Sequence, residues 1–235
     1  MTERGAAALD AGPDRLAIGP STLHWNGDCL VIGIEEVTFP VPSRIRGEVR
    51  VHPVALTGRS LTLDAAERHR WSPIAPLCRV ELALDRPELR WSGTGYLDSN
   101  EGSAPLEQDF RQWDWCRAPT RAGATILYNT EWRGGGGQSL ALRADRRGGI
   151  EAFSPPPAAA LPTTLWRLPR PTRADAGSAP RVRQTLEDAP FYARSVLDTV
   201  LEKEPVVAVH ESLSLDRFRT PWVQAMLPFR MPRRV

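Results

Sequence analysis

The chain has 235 residues, 41% of them apolar and 25% charged, with a formal net charge of +2. That length supports one large or two small domains around a real core, and the charge is too small for nucleic-acid binding through overall basicity. The basic side chains, 30 in all, are 29 arginines and one lysine, Lys203; genome base composition accounts for such a bias, and recruitment to an acidic surface is the alternative.

Cys29, Cys78 and Cys116 lie far apart and are odd in number. No CxxC pair or Cys/His cluster suits zinc, so no metal is expected, and free buried thiols in a reducing compartment are the expectation. The opening MTERGAAALDAG is polar and lacks the apolar segment of a signal peptide. No run of about 18 apolar residues is present to span a bilayer as a helix.

Strand signals dominate the order along the chain. CLVIGIEEV (29–37) is apolar and β-branched. RIRGEVRVHPVAL (44–56) alternates, with Ile45, Gly47, Val49 and Val51 opposite Arg46, Glu48 and Arg50, which predicts a strand with one wet face. CRVELAL (78–84) alternates too. ELRWSGTGYLD (88–98) puts Leu89, Trp91, Gly93, Gly95 and Leu97 on one face and Arg90, Ser92, Thr94, Tyr96 and Asp98 on the other. ATILYNTEWRGGGGQSLALRAD (124–145) reads as two strands around a four-glycine tip. Strands about ten residues apart with few helical stretches predict an all-β sandwich or barrel. FSPPPAAALPTTLW (153–166) reads as a stiff extended connector, placing domains at 1–153 and 157–235. TLWRL and the segments after it look strand-like. ESLSLDRFRTPWVQAML allows a short helix, and Pro221, Pro228 and Pro232 forbid a long one.

The densest chemistry lies in GTGYLDSNEGSAPLEQDFRQWDWCRA (93–118), where Asp98, Glu101, Glu107, Asp109 and Asp114 are set among Tyr96, Trp113 and Trp115. Tyr96 and Asp98 share a strand face. If that face lines a barrel, desolvation favours the neutral, proton-donating form of Asp98, a candidate general acid. The competing reading is that Asp98, Ser99 and Asn100 cap a turn. In ERHRWSPIAP (67–76), His69 and Trp71 also share a face, and His69 is suited to proton transfer near neutrality; a surface histidine beside an anchoring tryptophan is the plainer alternative. Trp113, Asp114 and Trp115 read as a strand start, with Asp114 the second choice for the acid. No GxSxG occurs, and GTG is only a fragment of a phosphate loop.

These stretches, together with LAIGPSTLHWNGDCLVI, PSRIRGEVRVHP, HRWSPIAP, TLEDAPFYARS and VHESLSLDRFRTPWVQAMLPFRMPRR, resemble the bacterial carotenoid 1,2-hydratases, or hydroxyneurosporene synthases, over nearly the whole chain. The resemblance implies two lipocalin-like β-barrels in tandem. It implies addition of water to the terminal C1=C2 bond of acyclic carotenoids such as neurosporene and lycopene, without a cofactor. Family catalytic residues match His69 and Trp71 in HRW, and Tyr96 and Asp98 in GYLD. Relatives carry a further strand-rich segment before the position of Met1, so the first barrel is expected to be incomplete. Hydration of such an alkene needs a neutral acid, for which Asp98 is the candidate, and an aromatic face for the cation, offered by Trp71. It also needs a placed water held by His69 or Tyr96. The partners implied are the carotenoid, water and a membrane surface, with the protein peripheral on the cytoplasmic side. Trp222, Met226, Leu227, Phe229 and Met231 would enter the acyl boundary, while Arg217, Arg219, Arg230, Arg233 and Arg234 face anionic headgroups. Two rival readings are a lipocalin-like carrier without catalysis, and a glycosidase pairing Asp98 with Glu101 or Glu107.

Overall fold

The computed structural model describes residues 2–38, 41–227 and 231–233. The strands, in chain order, are β1 (Thr2–Arg4), β2 (Leu9–Ala11), β3 (Arg15–Ile18), β4 (Ser21–Trp25), β5 (Leu30–Val37), β6 (Arg44–Pro53), β7 (Leu61–Thr62), β8 (His69–Arg86) and β9 (Glu88–Gly102). There follow β10 (Phe110–Pro119), β11 (Gly123–Trp132), β12 (Gly137–Asp145), β13 (Ile150–Ala152), β14 (Ala158–Leu161), β15 (Arg170–Arg173), β16 (Arg181–Asp188), β17 (Tyr192–Leu201), β18 (Glu204–Ser214) and β19 (Met231–Arg233). Among the described residues, helical structure is limited to a 3-10 turn at Ala6–Ala8 and to α1 (Leu106–Asp109), α2 (Leu215–Phe218) and α3 (Pro221–Met226). The all-β expectation holds, and each alternating run named above lies in a strand. The two large sheets are antiparallel, and among the described residues neither closes into a barrel.

Contacts divide the chain into two units that interleave in sequence. One comprises Met1–Val54, Leu77–Leu97 and Ala225–Val235; the other comprises Ala55–Pro76 and Asp98–Gln224. The long strands β8 and β9 run from one into the other. In the first unit β2 to β6 form an antiparallel meander, and β6 pairs with the middle of β8, Val51 opposite Val80. β1 and β19 form a small parallel pair, Thr2 opposite Met231. The early part of β9 does not present the expected wet and dry faces. Residues 88–94 are exposed throughout, and within β9 only 95–98 are half-buried, because among the described residues β9 pairs with β8 alone.

The second unit is built on a seven-stranded sheet in the order β13-β12-β11-β10-β18-β17-β16. The glycine tip is the expected hairpin turn: Gly135 and Gly136 adopt φ of 93° and 82°, a region costly for other residues. Period-two alternation along β17 and β18 turns Ala193, Leu197, Leu201, Val206 and Ala208 inward. Leu197, Leu201, Val206 and Ala208 pack with Cys116, Ala118, Leu127, Ala141 and Leu161.

Strands from both sides of residues 153–157 thus share one sheet and one core. The expected division into 1–153 and 157–235 is not where the chain separates, because β10 pairs with β18 from Gln112↔Ser214 to Arg117↔Val209. The expected connector is itself partly a strand. Ala158–Leu161 keep the backbone N–H groups that Pro155–Pro157 lack, and they pair with β15. TLWRL, expected to be strand-like, is a turn closed by backbone hydrogen bonds from Thr164 N to Leu168 O and from Arg167 N to Thr164 O.

Candidate active site

β8 opens in the second unit. Alternation buries His69, Trp71, Pro73 and Ala75 and leaves Arg70, Ser72 and Ile74 partly exposed, so the two expected site residues share a face. Trp71 is 0% exposed. Its indole Nε1–H donates to Asp98 Oδ2 at 2.8 Å. Its ring meets Tyr128 edge-on, with centroids 5.1 Å apart and planes at 88°, and Tyr128 meets Trp113 at 5.9 Å. Tyr128 sits on β11 opposite Trp115, and two residues later Thr130 donates its hydroxyl to Leu63 O, helped by Trp132 Nε1 at 3.0 Å. These bonds fasten the segment that leads into β8 onto the sheet. Burial pushes the Tyr128 hydroxyl well above its ordinary pKa, with the carboxylates of Asp98 and Glu211 adding to the rise. Asp98 is half-buried. Tyr96 precedes it by two residues on β9, also half-buried, in the first unit's share of that strand.

His69 is 2% exposed. Its Nε2 lies 2.7 Å from Asp109 Oδ2, and its ring meets the edge of Phe110 at 4.9 Å. Asp109 closes α1, and its other oxygen is ion-paired with the Arg68 guanidinium. Asp64 Oδ1 accepts the backbone N–H groups of Arg68 at 2.9 Å and His69 at 3.2 Å, which fixes the start of β8. The imidazole packs against Gly102, where a Cβ would lie 2.6 Å from His69 Nδ1. Asp64, His69 and Asp109 offer three ligand atoms within 4.8 Å of one another. A divalent cation there would displace the His69–Asp109 hydrogen bond and face the Arg68 guanidinium. The donor set fits an oriented Asp–His pair better than a metal centre.

Sequence reasoning did not single out Asp64, Asp109 or Tyr128 for these contacts. Asp109 is visible in the acid-rich stretch, but nothing local couples it to a histidine 40 residues away. Tyr128 is signalled only by sharing a strand face with Ile126 and Thr130.

The family model described as "Carotenoid hydratase CrtC" matches residues 1–235. The chain belongs to this carotenoid hydratase family. It is similar to the acyclic carotenoid 1,2-hydratase of Thiocapsa roseopersicina, at 58% identity over 234 residues, covering 99% of this chain and 58% of that protein. The similarity to the Rubrivivax gelatinosus protein of the same name is 47% over 235 residues, again spanning 58% of its length. The Cereibacter sphaeroides protein of that name is 40% identical, with 84% of its length covered. The chain therefore spans a little over half the length of the first two relatives. The crystal structure of CghA with Sch210972 is similar in fold, with a TM-score of 0.57 over 87% of this chain and 72% of that one, at 14% identity.

This carotenoid hydratase family chain buries a second acid, Asp114, on the face of β10 opposite Trp113 and Trp115. Ser212 donates its hydroxyl to Asp114 Oδ1, and the Gln112 amide donates to Oδ2 at 3.0 Å. Burial raises its pKa from 3.8 to about 7 against those two hydrogen bonds, and the Glu131 carboxylate adds to the rise. A cavity of about 760 Å³ in the same unit is lined by Arg143, Phe153, Asp175, Val200, Glu202 and Lys203 among others, and by none of the four expected site residues. Of the C-terminal residues expected to meet a membrane, Trp222 and Arg219 are exposed and Leu227 is half-buried. Phe229, Arg230 and Arg234 lie outside the described residues, as do the side chains of Met226, Met231 and Arg233.

Proposed function

We propose that this chain carries the site of an acyclic carotenoid 1,2-hydratase. The observation that supports it is the half-buried Asp98 carboxyl bonded to the wholly buried Trp71 indole, on a strand face shared with His69, in a chain of the hydratase family. Asp98, protonated, gives its proton to carbon 2 of the terminal double bond. The π pair becomes the new C–H bond and leaves a tertiary cation at carbon 1. Water attacks carbon 1 and gives up a proton to the base that holds it, and exchange with solvent then discharges that base and re-protonates Asp98 to close the cycle. The Trp71 ring also contributes a negative π face, worth about 2 kcal/mol to a desolvated cation. His69 holds the water and takes up its proton, a role worth roughly 10² to 10⁴ in rate. Asp109 fixes the imidazole and balances the charge it acquires.

The test is incubation of the purified chain with lycopene or neurosporene in isotopically labelled water. The expected product is a 1-hydroxy carotenoid carrying the label, and Asp98→Asn should abolish it while pigment binding persists. Pigment bound by the unsubstituted chain without any product would assign a carrier instead.

A further inference from the structure

Two tryptophans and a leucine lie together on the surface of the second unit. Leu165 is 95% exposed, Trp166 44% and Trp222 49%. The Trp166 and Trp222 rings stack, with centroids 6.1 Å apart and planes at 28°. Single exposed apolar residues need no explanation, but a contiguous group of the largest ones does.

The turn that carries Leu165 is firmly held. Thr164 closes it three ways, through its N–H to Leu168 O, through its carbonyl to Arg167 N, and through its hydroxyl oxygen to Leu168 N. Leu165 N donates to Asp188 Oδ2 at 2.8 Å, while Leu168 is buried. Arg167 takes a φ of 55°, a conformation that costs a non-glycine residue energy and needs support from its surroundings. The support comes from Arg217 on α2. Its guanidinium donates to Trp166 O at 2.6 Å, Arg167 O at 2.8 Å and Pro190 O at 3.2 Å. On α3, Val223 is buried and its neighbour Trp222 points outward. Leu165 is therefore presented by a fixed backbone.

The charge around the group is basic. Arg167 and Arg219 are exposed and Arg217 lies beneath the turn. Of the nearby acids, Asp188 is engaged by the Leu165 N–H, Asp216 is ion-paired with Arg111 and Arg133, and the exposed Glu187 stands opposite Arg194 on β17.

From this placement we infer that the Leu165–Trp166 turn and Trp222 dock on an anionic phospholipid bilayer. Leucine enters the acyl boundary, the indoles lie at headgroup level, and the arginines meet lipid phosphates. A second copy of the chain is the poorer occupant, because a two-fold contact through this group would set Arg167 and Arg219 near their own counterparts. The inference stands on exposure and charge, and it goes beyond the proposed hydration.

Flotation of the intact chain with phosphatidylcholine vesicles, with and without phosphatidylglycerol and with no carotenoid present, tests it. The chain should float with the anionic vesicles. Leu165→Ser and Trp222→Ser should each lower the partition coefficient on the order of tenfold, and Arg219→Gln about fivefold with the anionic lipid only. Melting temperatures verify that the variants fold. Hydration of detergent-dispersed carotenoid by Leu165→Ser should match the unsubstituted chain, so a failed activity assay and a failed flotation are separable. The proposal is overturned if the unsubstituted chain stays unbound, or if Leu165→Ser floats equally well. It is also overturned if lipid-free self-association is what Leu165→Ser abolishes.

Discussion

Replacing Asp114 with Asn should make the protein more stable at high pH and leave it unchanged at low pH. Asp114 is buried, and its pKa is raised from 3.8 to about 7, mainly by that burial. Between those two values the folded chain keeps a proton that the unfolded chain has released. Stability from this group is thus fully present below about pH 4 and is lost as pH rises through 7. The interval of roughly three units corresponds to about 4 kcal/mol by pH 8, at about 1.4 kcal/mol per unit. Asn has no charge to bury, and its partners can adapt, since the Ser212 hydroxyl both donates and accepts and the Gln112 amide can rotate end for end. Calorimetric melting of both proteins from acid to mild base isolates the effect, because every other titrating group cancels in the difference. The two melting temperatures should converge near pH 4, and the variant should lead by roughly 10 °C at pH 8, at about 2–4 °C per kcal/mol for a chain of this size. A difference that does not change with pH, or a variant less stable at pH 8, would show that Asp114 is ionised in the fold and held by hydrogen bonds that outweigh its burial.

Trp71→Phe should keep the edge contact with Tyr128 and lose the N–H that holds Asp98, lowering kcat about tenfold with the fold intact; Trp71→Leu, losing the ring as well, should fall further and melt earlier. Equal activity of Phe and Leu variants would mean that the ring itself contributes nothing. Asp109→Asn should lower kcat by about 10² with little change in KM, because it acts on His69 and not on the substrate; a rise in KM alone would refute that role. Gly102→Ala should place a methyl group 2.6 Å from His69 Nδ1, destabilising the protein by about 1–3 kcal/mol and disturbing the Asp109 contact. An alanine variant with unchanged melting and turnover would show that the imidazole moves freely at no cost.

Which of the candidate residues share a strand was legible because period two is a local property. His69 and Trp71 stand two apart on one strand, Tyr96 and Asp98 two apart on the next, and alternation needs no knowledge of the rest of the chain. The structure brings Trp71 to Asp98 and seats His69 and Trp71 on one buried face. Their other partners were not legible. Asp109 reaches His69 from a helix of four residues, and Tyr128 reaches Trp71 from a strand whose own pattern reports only an apolar face. The division of the chain failed for the same reason. A proline run is a local sign of stiffness, but membership of a unit is set by pairing across long separations, as between Asp114 and Ser212, 98 residues apart. No pattern within 153–157 registers that β10 and β18 lie side by side.

For the proposed hydration, burial alone would point to Asp114 as the acid. Asp114 is the more deeply buried carboxyl, and its pKa of about 7 is the kind of value a proton donor at neutral pH needs. Yet both of its oxygens accept hydrogen bonds, from Ser212 and Gln112, and its face of β10 continues into Cys116 and Ala118, which pack tightly with Leu127, Leu197 and Ala208. A proton held there has no space beside it for a polyene. Asp98 has the complementary qualities. It is open on part of its surface, and it is oriented by an indole with no solvent exposure of its own. Under the proposed hydration an acid catalyst must touch its substrate as well as keep its proton, and access is the reason the proposal places that role on Asp98.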